Sequence, residues 1–343
     1  MRLSDYDYQL PAELIAAEPL EKRSASRMLI VERGSGSYRD GRFREFPNYL
    51  KRGDLLVLNN TKVFPARLIG RTETGGKMEI FLIREAEASI WNALARPARR
   101  LKPGKEIRFA DELSARVLEI KADGEVIIAF DCDGDLYAAL DRVGRTPLPP
   151  YIKRDSAAAD IDRERYQTVY ASKRGAIAAP TAGLHFTPEI LEEIGGLGVD
   201  IAEITLHVGY GTFEPVRQDD LSRHTVMAEQ FEIGPDAADR LNSARRDGRR
   251  IIAVGTTTTR VLETIAAREI EYRKGSGIAD LTIRPGYRFR AINGLLTNFH
   301  LPRSSLLILV STFGGYELIM SAYKHAAAEG YRFYSYGDCM LVV

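Results

Sequence analysis

The sequence predicts an α/β fold: a mixed β-sheet flanked by helices, interrupted by a second domain made of strands. Three observations carry that prediction. Apolar strands run into Gly-, Ser- or Thr-rich turns and then into helices, at 176–190, 250–262 and 294–306. From Ala66 the texture changes to short β-type runs with turn pairs at close spacing. That block closes near Pro147-Leu148-Pro149-Pro150, a stiff connector, and the α/β texture then returns. The predicted organisation is a discontinuous α/β domain over 1–65 and 151–343. The inserted β domain, a small barrel or sandwich, covers 66–150.

Taken in order, Pro11–Ala16 predicts a short helix with proline at its start, and Arg27–Glu32 a strand. Phe46–Leu50 predicts a helical turn, and Asp54–Leu58 a buried strand ending at Asn59-Asn60-Thr61-Lys62. The β block contains six runs, at 67–72, 77–83, 90–94, 106–109, 114–120 and 125–130. Gly75-Gly76, Pro103-Gly104, Asp123-Gly124 and Asp133-Gly134 supply its turns. Arg163–Tyr170 predicts a short helix and Ala176–Ala179 a strand. Thr187 can cap a helix whose first residue is Pro188 and whose stop is Gly195-Gly196. Val199–Val208 is the next strand, Asp236–Arg246 an amphipathic helix, Arg250–Val254 a strand and Val261–Arg268 a helix. After the strand Gly294–Phe299, Ser304 or Ser305 can cap the apolar helix Leu306–Phe313. Tyr316–Glu329 is a further helix, and Tyr331–Tyr336 the final strand.

The stretch 176–215 organises the expected site. If the strands 176–179 and 199–208 pair in parallel through the intervening helix, their carboxyl ends share one sheet edge. Ligands in open α/β sheets bind at that edge. His185, His207 and His300 each follow a strand and precede a Gly-, Ser- or Thr-rich turn. One such histidine alone is more often structural; three at equivalent strand ends point to a site only if the strands share one sheet. Gly255-Thr256-Thr257-Thr258-Thr259-Arg260 opens a helix whose amides and hydroxyls can hold a carboxylate, a ribose hydroxyl or a phosphate, or serve only as a cap. His325, mid-helix among Lys and Ala, is expected to be merely exposed.

Composition bounds the rest. The chain has 343 residues, 45% hydrophobic and 28% charged, which fits roughly two globular domains. A net charge of +1 does not mark a general polyanion binder. Cys132 and Cys339 are its only cysteines and have no metal-type spacing, so a reducing compartment and no metal site are expected. The opening residues lack a signal-peptide core, and Leu306–Val310, the longest apolar run, is too short to span a bilayer. A cytoplasmic protein without membrane contact is expected. The chain has no Gly-x-Gly-x-x-Gly, P-loop, His-Glu-x-x-His or Gly-x-Ser-x-Gly. Two basic clusters stand out: Arg96, Arg99, Arg100, Lys102, Lys105 and Arg108, and Arg245, Arg246, Arg249 and Arg250. Such clusters are usually solvated faces. The first lies around turns of a compact β module and is the better candidate for phosphate contact.

Several strings are long and specific. They include Asn59-Asn60-Thr61-Lys62-Val63-Phe64-Pro65-Ala66-Arg67-Leu68, Pro147-Leu148-Pro149-Pro150-Tyr151-Ile152 and Tyr166-Gln167-Thr168-Val169-Tyr170. Ala179-Pro180-Thr181-Ala182-Gly183-Leu184-His185-Phe186-Thr187, Thr205-Leu206-His207-Val208-Gly209 and Thr297-Asn298-Phe299-His300-Leu301-Pro302 follow, then Ser335-Tyr336-Gly337-Asp338. In these the chain resembles, over nearly its whole length, the S-adenosylmethionine:tRNA ribosyltransferase-isomerases of queuosine biosynthesis. One position departs. Where that family often shows His-x-Met-His-x-Glu, this chain has His224-Thr225-Val226-Met227-Ala228-Glu229, with Met227 at the second histidine.

The resemblance implies an α/β domain with an inserted β-barrel domain. It also implies transfer of the ribosyl part of S-adenosylmethionine to an aminomethyl-deazaguanine in tRNA. Isomerisation then gives epoxyqueuosine, and adenine and methionine leave. S-adenosylmethionine is a co-substrate there, and no cofactor is implied. The implied partner is tRNA with a GUN anticodon carrying the deazaguanine precursor, acted on by a monomer. The catalytic candidates are His185, His207, His300, Thr257 and Asp338. Candidates for substrate binding are Thr181, Gly183, Gly209, Gly211, Glu214, Thr256, Arg260 and Asn298, and for tRNA binding Arg96, Arg99, Arg100, Lys102 and Lys105. The sulfonium acidifies the adjacent ribose CH₂, so a positioned base of modest strength is expected. The rivals are a non-catalytic tRNA-binding module and a small-molecule methyltransferase, which would need a glycine-rich first turn that the chain lacks.

Overall fold

A computed structural model describes residues 1–343 except Pro150, 153–158, Tyr210, 212–215 and Arg217; the side chains of Arg100, Ala159 and Asp160 are also left out. The chain forms two compact units. One comprises Met1–Thr61, Thr168–Lys173 and Ala179–Val343; the other comprises Lys62–Gln167 and Arg174–Ala178.

In chain order the strands are β1 (Arg27–Glu32), β2 (Ser37–Arg42), β3 (Leu55–Asn59), β4 (Thr61–Val63), β5 (Arg67–Thr72), β6 (Lys77–Glu87), β7 (Ile90–Arg96), β8 (Glu106–Ala110), β9 (Leu113–Ile120) and β10 (Val126–Cys132). They continue as β11 (Lys173–Ala176), β12 (Asp200–Leu206), β13 (Glu229–Ile233), β14 (Ile251–Val254), β15 (Gly275–Ala279), β16 (Gly294–Asn298) and β17 (Cys339–Val342). The helices are α1 (Leu136–Val143), α2 (Ala159–Arg165), α3 (Pro188–Gly196), α4 (Pro235–Arg246), α5 (Thr256–Arg268), α6 (Ser305–Gly314) and α7 (Tyr316–Ala328).

The larger unit is built on a nine-stranded mixed sheet in the order β15-β13-β12-β3-β14-β16-β17-β1-β2. Its centre, β12-β3-β14-β16, is parallel. Of these, β3, β14 and β16 are buried on both faces, while β12 carries the exposed Glu203. Leu56 and Leu58 of β3, Ile252 and Val254 of β14 and Leu296 of β16 point to one face. There they meet Phe43 and Phe46 of a 3-10 turn, Phe186, and Ile190 and Ile194 of α3. The alternate residues face α4 and α5, as a period of two requires. Thr187 Oγ accepts the Ile190 N–H and Pro188 opens α3, while Ser304 caps α6. No single helix among the described residues is long and apolar enough to cross a membrane.

The smaller unit holds a closed six-stranded antiparallel barrel, β10-β7-β6-β5-β8-β9. Leu68, Met78, Ile80, Leu82, Ala93, Ile107, Ala115, Val117, Val126 and Ile128 fill it, and Leu136, Ala139 and Leu140 of α1 join that core. Asp135 caps α1 by accepting the Tyr137 and Ala138 N–H groups. Gly70 sits where β8 crosses β5. A Cβ there would lie 2.7 Å from Ile107 Cγ2 and 2.8 Å from the Arg108 carbonyl oxygen, so the crossing needs glycine.

Four expectations are corrected. The stretch 176–179 is not a sheet neighbour of β12: β11 ends at Ala176 and pairs with β4 in a two-stranded sheet. The neighbours of β12 are β3 and β13, so the shared edge arises from β3, β14 and β16 instead. The threonine run is not a loop before a helix but the first turn of α5, because Gly255 at φ +91° makes the turn by itself. Tyr331–Tyr336 is irregular, and the last strand is β17, which pairs with both β16 and β1. His325 is partly buried, with Nε2 3.1 Å from an Asp40 carboxylate oxygen.

Candidate active site

The parallel strands β12, β3, β14 and β16 end on one edge of the sheet. Because β17 runs against β16 and β1 runs with β17, their amino ends start from that same edge. The edge therefore gathers His207, Asn60, Thr61, Gly255–Thr257 and His300 with Asp338 and Ser26. His185 joins through its contacts: Nδ1 lies 2.7 Å from Ser26 Oγ and Nε2 3.1 Å from Asn298 Oδ1. Asn298 Nδ2 donates to the carbonyls of Tyr334 and Ser335, which leaves Oδ1 to accept the His185 Nε2–H.

The three histidines differ in freedom. Burial holds His185 down to about 4, against some support from the Asn298 hydrogen bond. Burial holds His300 down to about 3, with Nε2 2.9 Å from Thr297 Oγ1. Its peptide is clamped as well: the N–H donates to the Tyr323 hydroxyl, and the carbonyl accepts from Tyr8. His207 is only partly buried, and burial lowers it while Glu232 pulls the other way. Its Nδ1 is 2.8 Å from Thr61 Oγ1, and among the described residues its Nε2 has no hydrogen-bond partner. In the tautomer in which Nδ1–H donates to Thr61 Oγ1, Nε2 presents its lone pair; in the other, the Thr61 hydroxyl donates and Nε2 carries the proton.

Asp338 is 2% exposed and accepts the N–H groups of Arg27 at 2.9 Å and Arg332 at 2.8 Å. Burial pushes its carboxyl up, while those N–H groups and the two guanidiniums pull it down. The carboxylate thus staples the starts of β1 and β17.

The first turn of α5 borders a pocket in this unit, lined on its polar side by Gly211, Met227, Glu229, Thr256, Thr257 and Arg260. Leu281, Ile283, Leu306 and Leu309 form its apolar side. The threonines divide by their bonds. Thr258 and Thr259 donate back to the carbonyls of Val254 and Gly255, which spends them inside the helix. Thr257 Oγ1 is buried with no partner among the described residues. Arg260 is fully engaged: it pairs with Glu229 at 2.5 Å and donates to the carbonyls of Met227 and Ala279. Glu229 in turn accepts the Gly209 N–H at 3.0 Å, so the pair anchors the strand-end loop that carries His207. An α-helix start with a free hydroxyl and unpaired amides favours an anionic or hydroxyl-rich ligand.

A family model described as "Queuosine biosynthesis protein" matches residues 3–342. The chain belongs to the queuosine biosynthesis protein family.

Relatives in this family align end to end. The chain is 48% identical to the S-adenosylmethionine:tRNA ribosyltransferase-isomerase of Symbiobacterium thermophilum and 49% identical to that of Moorella thermoacetica, each covering 100% of both chains. The crystal structure of the S-adenosylmethionine tRNA ribosyltransferase from Thermotoga maritima is similar at 38% identity, with a TM-score of 0.57 over 99% of this chain and 100% of that one.

Within this member of the family, the pocket takes Thr256, Thr257, Arg260 and Gly211 from the predicted set, while His185, His207 and His300 stand along the sheet edge outside its lining. Thr181 opens the 3-10 turn Thr181–His185, and Gly183 is buried inside it against the Tyr170 hydroxyl and Thr168. Glu214 lies outside the described residues. Arg96, Arg99 and Lys102 are exposed on the barrel unit and Lys105 partly so. Met227 is 52% exposed and packs on Gly211, where a Cβ would lie 2.7 Å from its side chain. His224 is 9% exposed and its Nε2 has no partner among the described residues.

Sequence reasoning missed Ser26, which holds His185. It also did not single out Thr168 and Tyr170, whose hydroxyls are buried beside Gly183 with no partner among the described residues. The polar string Gln167-Thr168-Val169-Tyr170 was the available signal for that pair. Nothing in the sequence marks Ser26, because its role depends on a contact across 159 positions.

Proposed function

We propose that this protein transfers and isomerises the ribosyl moiety of S-adenosylmethionine onto the aminomethyl-deazaguanine base of a tRNA anticodon, giving epoxyqueuosine-tRNA and releasing adenine and methionine. The observation that carries the reading is end-to-end similarity, at 46–49% identity, to relatives that bear that enzyme's name. The site geometry supports it with a sheet-edge pocket, a free threonine hydroxyl at a helix start and a histidine with an open ring nitrogen. No observation favours the binding-module alternative.

The contacts support the following roles. His207 Nε2 takes the proton from the CH₂ beside the sulfonium, because His185 and His300 are buried and weakly basic. Thr257 Oγ1 and the amides of the first α5 turn stabilise charge that develops on the ribose oxygens. His185, Asn298 and Asp338 hold the edge in shape rather than touching the reacting atoms. Arg96, Arg99, Arg100, Lys102 and Lys105 contact tRNA phosphates. The substrate tRNA carries a GUN anticodon, and the enzyme works as a cytoplasmic monomer.

A single-turnover incubation with S-adenosylmethionine and deazaguanine-containing tRNA tests the reading. Mass spectrometry should find adenine and methionine released together with a ribosyl-derived mass gain on the tRNA. Intact S-adenosylmethionine beside bound tRNA would return the binding-module reading, and methylated product would point to a methyltransferase.

A further inference from the structure

The barrel register places like charges side by side. Lys77 of β6 stands directly opposite Arg71 of β5, and Arg71 directly opposite Arg108 of β8. All three side chains are exposed on the outer face. Directly opposed like charges destabilise a sheet, so this row works against the barrel that carries it. Nearby carboxylates do not cancel it. Glu79, in the next row, pairs with Arg67 at 3.7 Å, and Glu106 stands opposite Arg116. Among the described residues, Lys77, Arg71 and Arg108 form no ion pair; Arg71 only donates to the Gly75 carbonyl at 3.2 Å. Beneath the row, β5 and β8 pack closely at Gly70, where a Cβ would lie 2.7 Å from Ile107 Cγ2.

We propose that Lys77, Arg71 and Arg108 form a phosphate-docking strip for an RNA duplex, which shares only Arg108 with the basic cluster around Arg99. Three adjacent strands span about 10 Å. A duplex presents one charge per ~1.7 Å of axis, so the strip faces several phosphates at once. The choice of RNA rests on the proposed tRNA-directed function. The strip contacts the backbone only, so it contributes affinity and orientation and carries no base preference.

The test is a fluorescence-anisotropy titration of the full chain with an unmodified RNA hairpin of anticodon-arm type, repeated across a range of salt. Replacing all three residues by Gln should weaken binding at least tenfold at low salt. It should also make the log–log salt slope shallower by about 2–3, close to 0.9 per lost contact. The thermal midpoint should hold or rise, since a repulsive row has been removed. Restoring positive charge as Arg71→Lys and Arg108→Lys with Lys77 intact should restore most of the slope. A slope unchanged in the Gln variant overturns the proposal, as does a wild-type chain that does not bind the hairpin. Loss of binding to an acidic polypeptide with hairpin binding intact also overturns it, assigning the strip to a protein partner. The catalytic reading fails on a different measurement, the absence of adenine release, whatever the hairpin slope shows.

Discussion

The barrel and the sheet edge of the α/β unit solve opposite problems with their polar residues. The barrel closes its ladder, so nearly every strand alternates apolar inside and polar outside, as in β5 and β9. Its charged side chains sit on the outer surface, where they can change without disturbing the core. The sheet edge instead buries His185, His300, Asn298, Thr256 and Asp338, each 6% exposed or less. Burying such groups is costly without partners: His185 and Asn298 bond each other, His300 bonds Thr297, and Asp338 accepts two backbone N–H groups. A function placed outside a closed barrel is therefore tolerant, while one built into a buried edge is tied to stability.

Substitutions should separate the two regions. The largest effect belongs to His207→Ala, which should lower the single-turnover rate by about 10²–10⁴-fold while leaving the fold intact, because this histidine is only partly buried. A rate within threefold of wild type would remove it as the base. Asp338→Ala strips the acceptor from two N–H groups beneath the same edge and should cost about 2–4 kcal/mol in urea unfolding. A loss below about 1 kcal/mol would show that the edge is looser than its bonding implies.

The third prediction concerns pH. His185 and His300 are held down to about 4 and about 3, below the ordinary ~6.5 of the unfolded chain. The unfolded state therefore binds protons more readily. Stability is fully present above about pH 6.5 and falls as pH drops towards 4 and then 3, by up to about 1.4 kcal/mol per pH unit for each group. Urea midpoints measured at pH 7 and pH 5 should fall for the wild type and fall less for a His185→Asn, His300→Asn double variant. Equal falls would place the acid sensitivity elsewhere. The smallest effect expected is that of Gly70→Ala in the barrel, about 1–3 kcal/mol from crowding against Ile107 and the Arg108 carbonyl. An unchanged midpoint there would show that β8 can shift away from β5.

Much of the barrel was legible in advance. The runs at 67–72, 77–83, 90–94, 106–109, 114–120 and 125–130 each correspond to a strand, because alternation and turn pairs are local signals. The same holds for Thr187 and Ser304 as caps. The site was legible only in its residue types. His207, Thr257 and His300 do stand at strand ends on one edge, yet the strand expected beside β12 belongs to another sheet. Of the four threonines, the sequence offers no ground for separating Thr257 from Thr258 and Thr259.

By itself the sequence determined most of the strands and helices, the caps at Thr187 and Ser304, and which chemical groups follow each strand, since these depend on neighbours a few positions apart; it misplaced the last strand, which is β17 and not 331–336. It also carried the family's motifs from end to end. Only the tertiary structure decided that β3, β12, β14 and β16 lie together, that Ser26 and Asn298 hold His185 from both sides, and that Lys77, Arg71 and Arg108 stand in one row. The physical reason is that strand pairing is set by which apolar faces can be buried together across long separations. A sequence read locally gives each strand's face, but not its neighbour or its register.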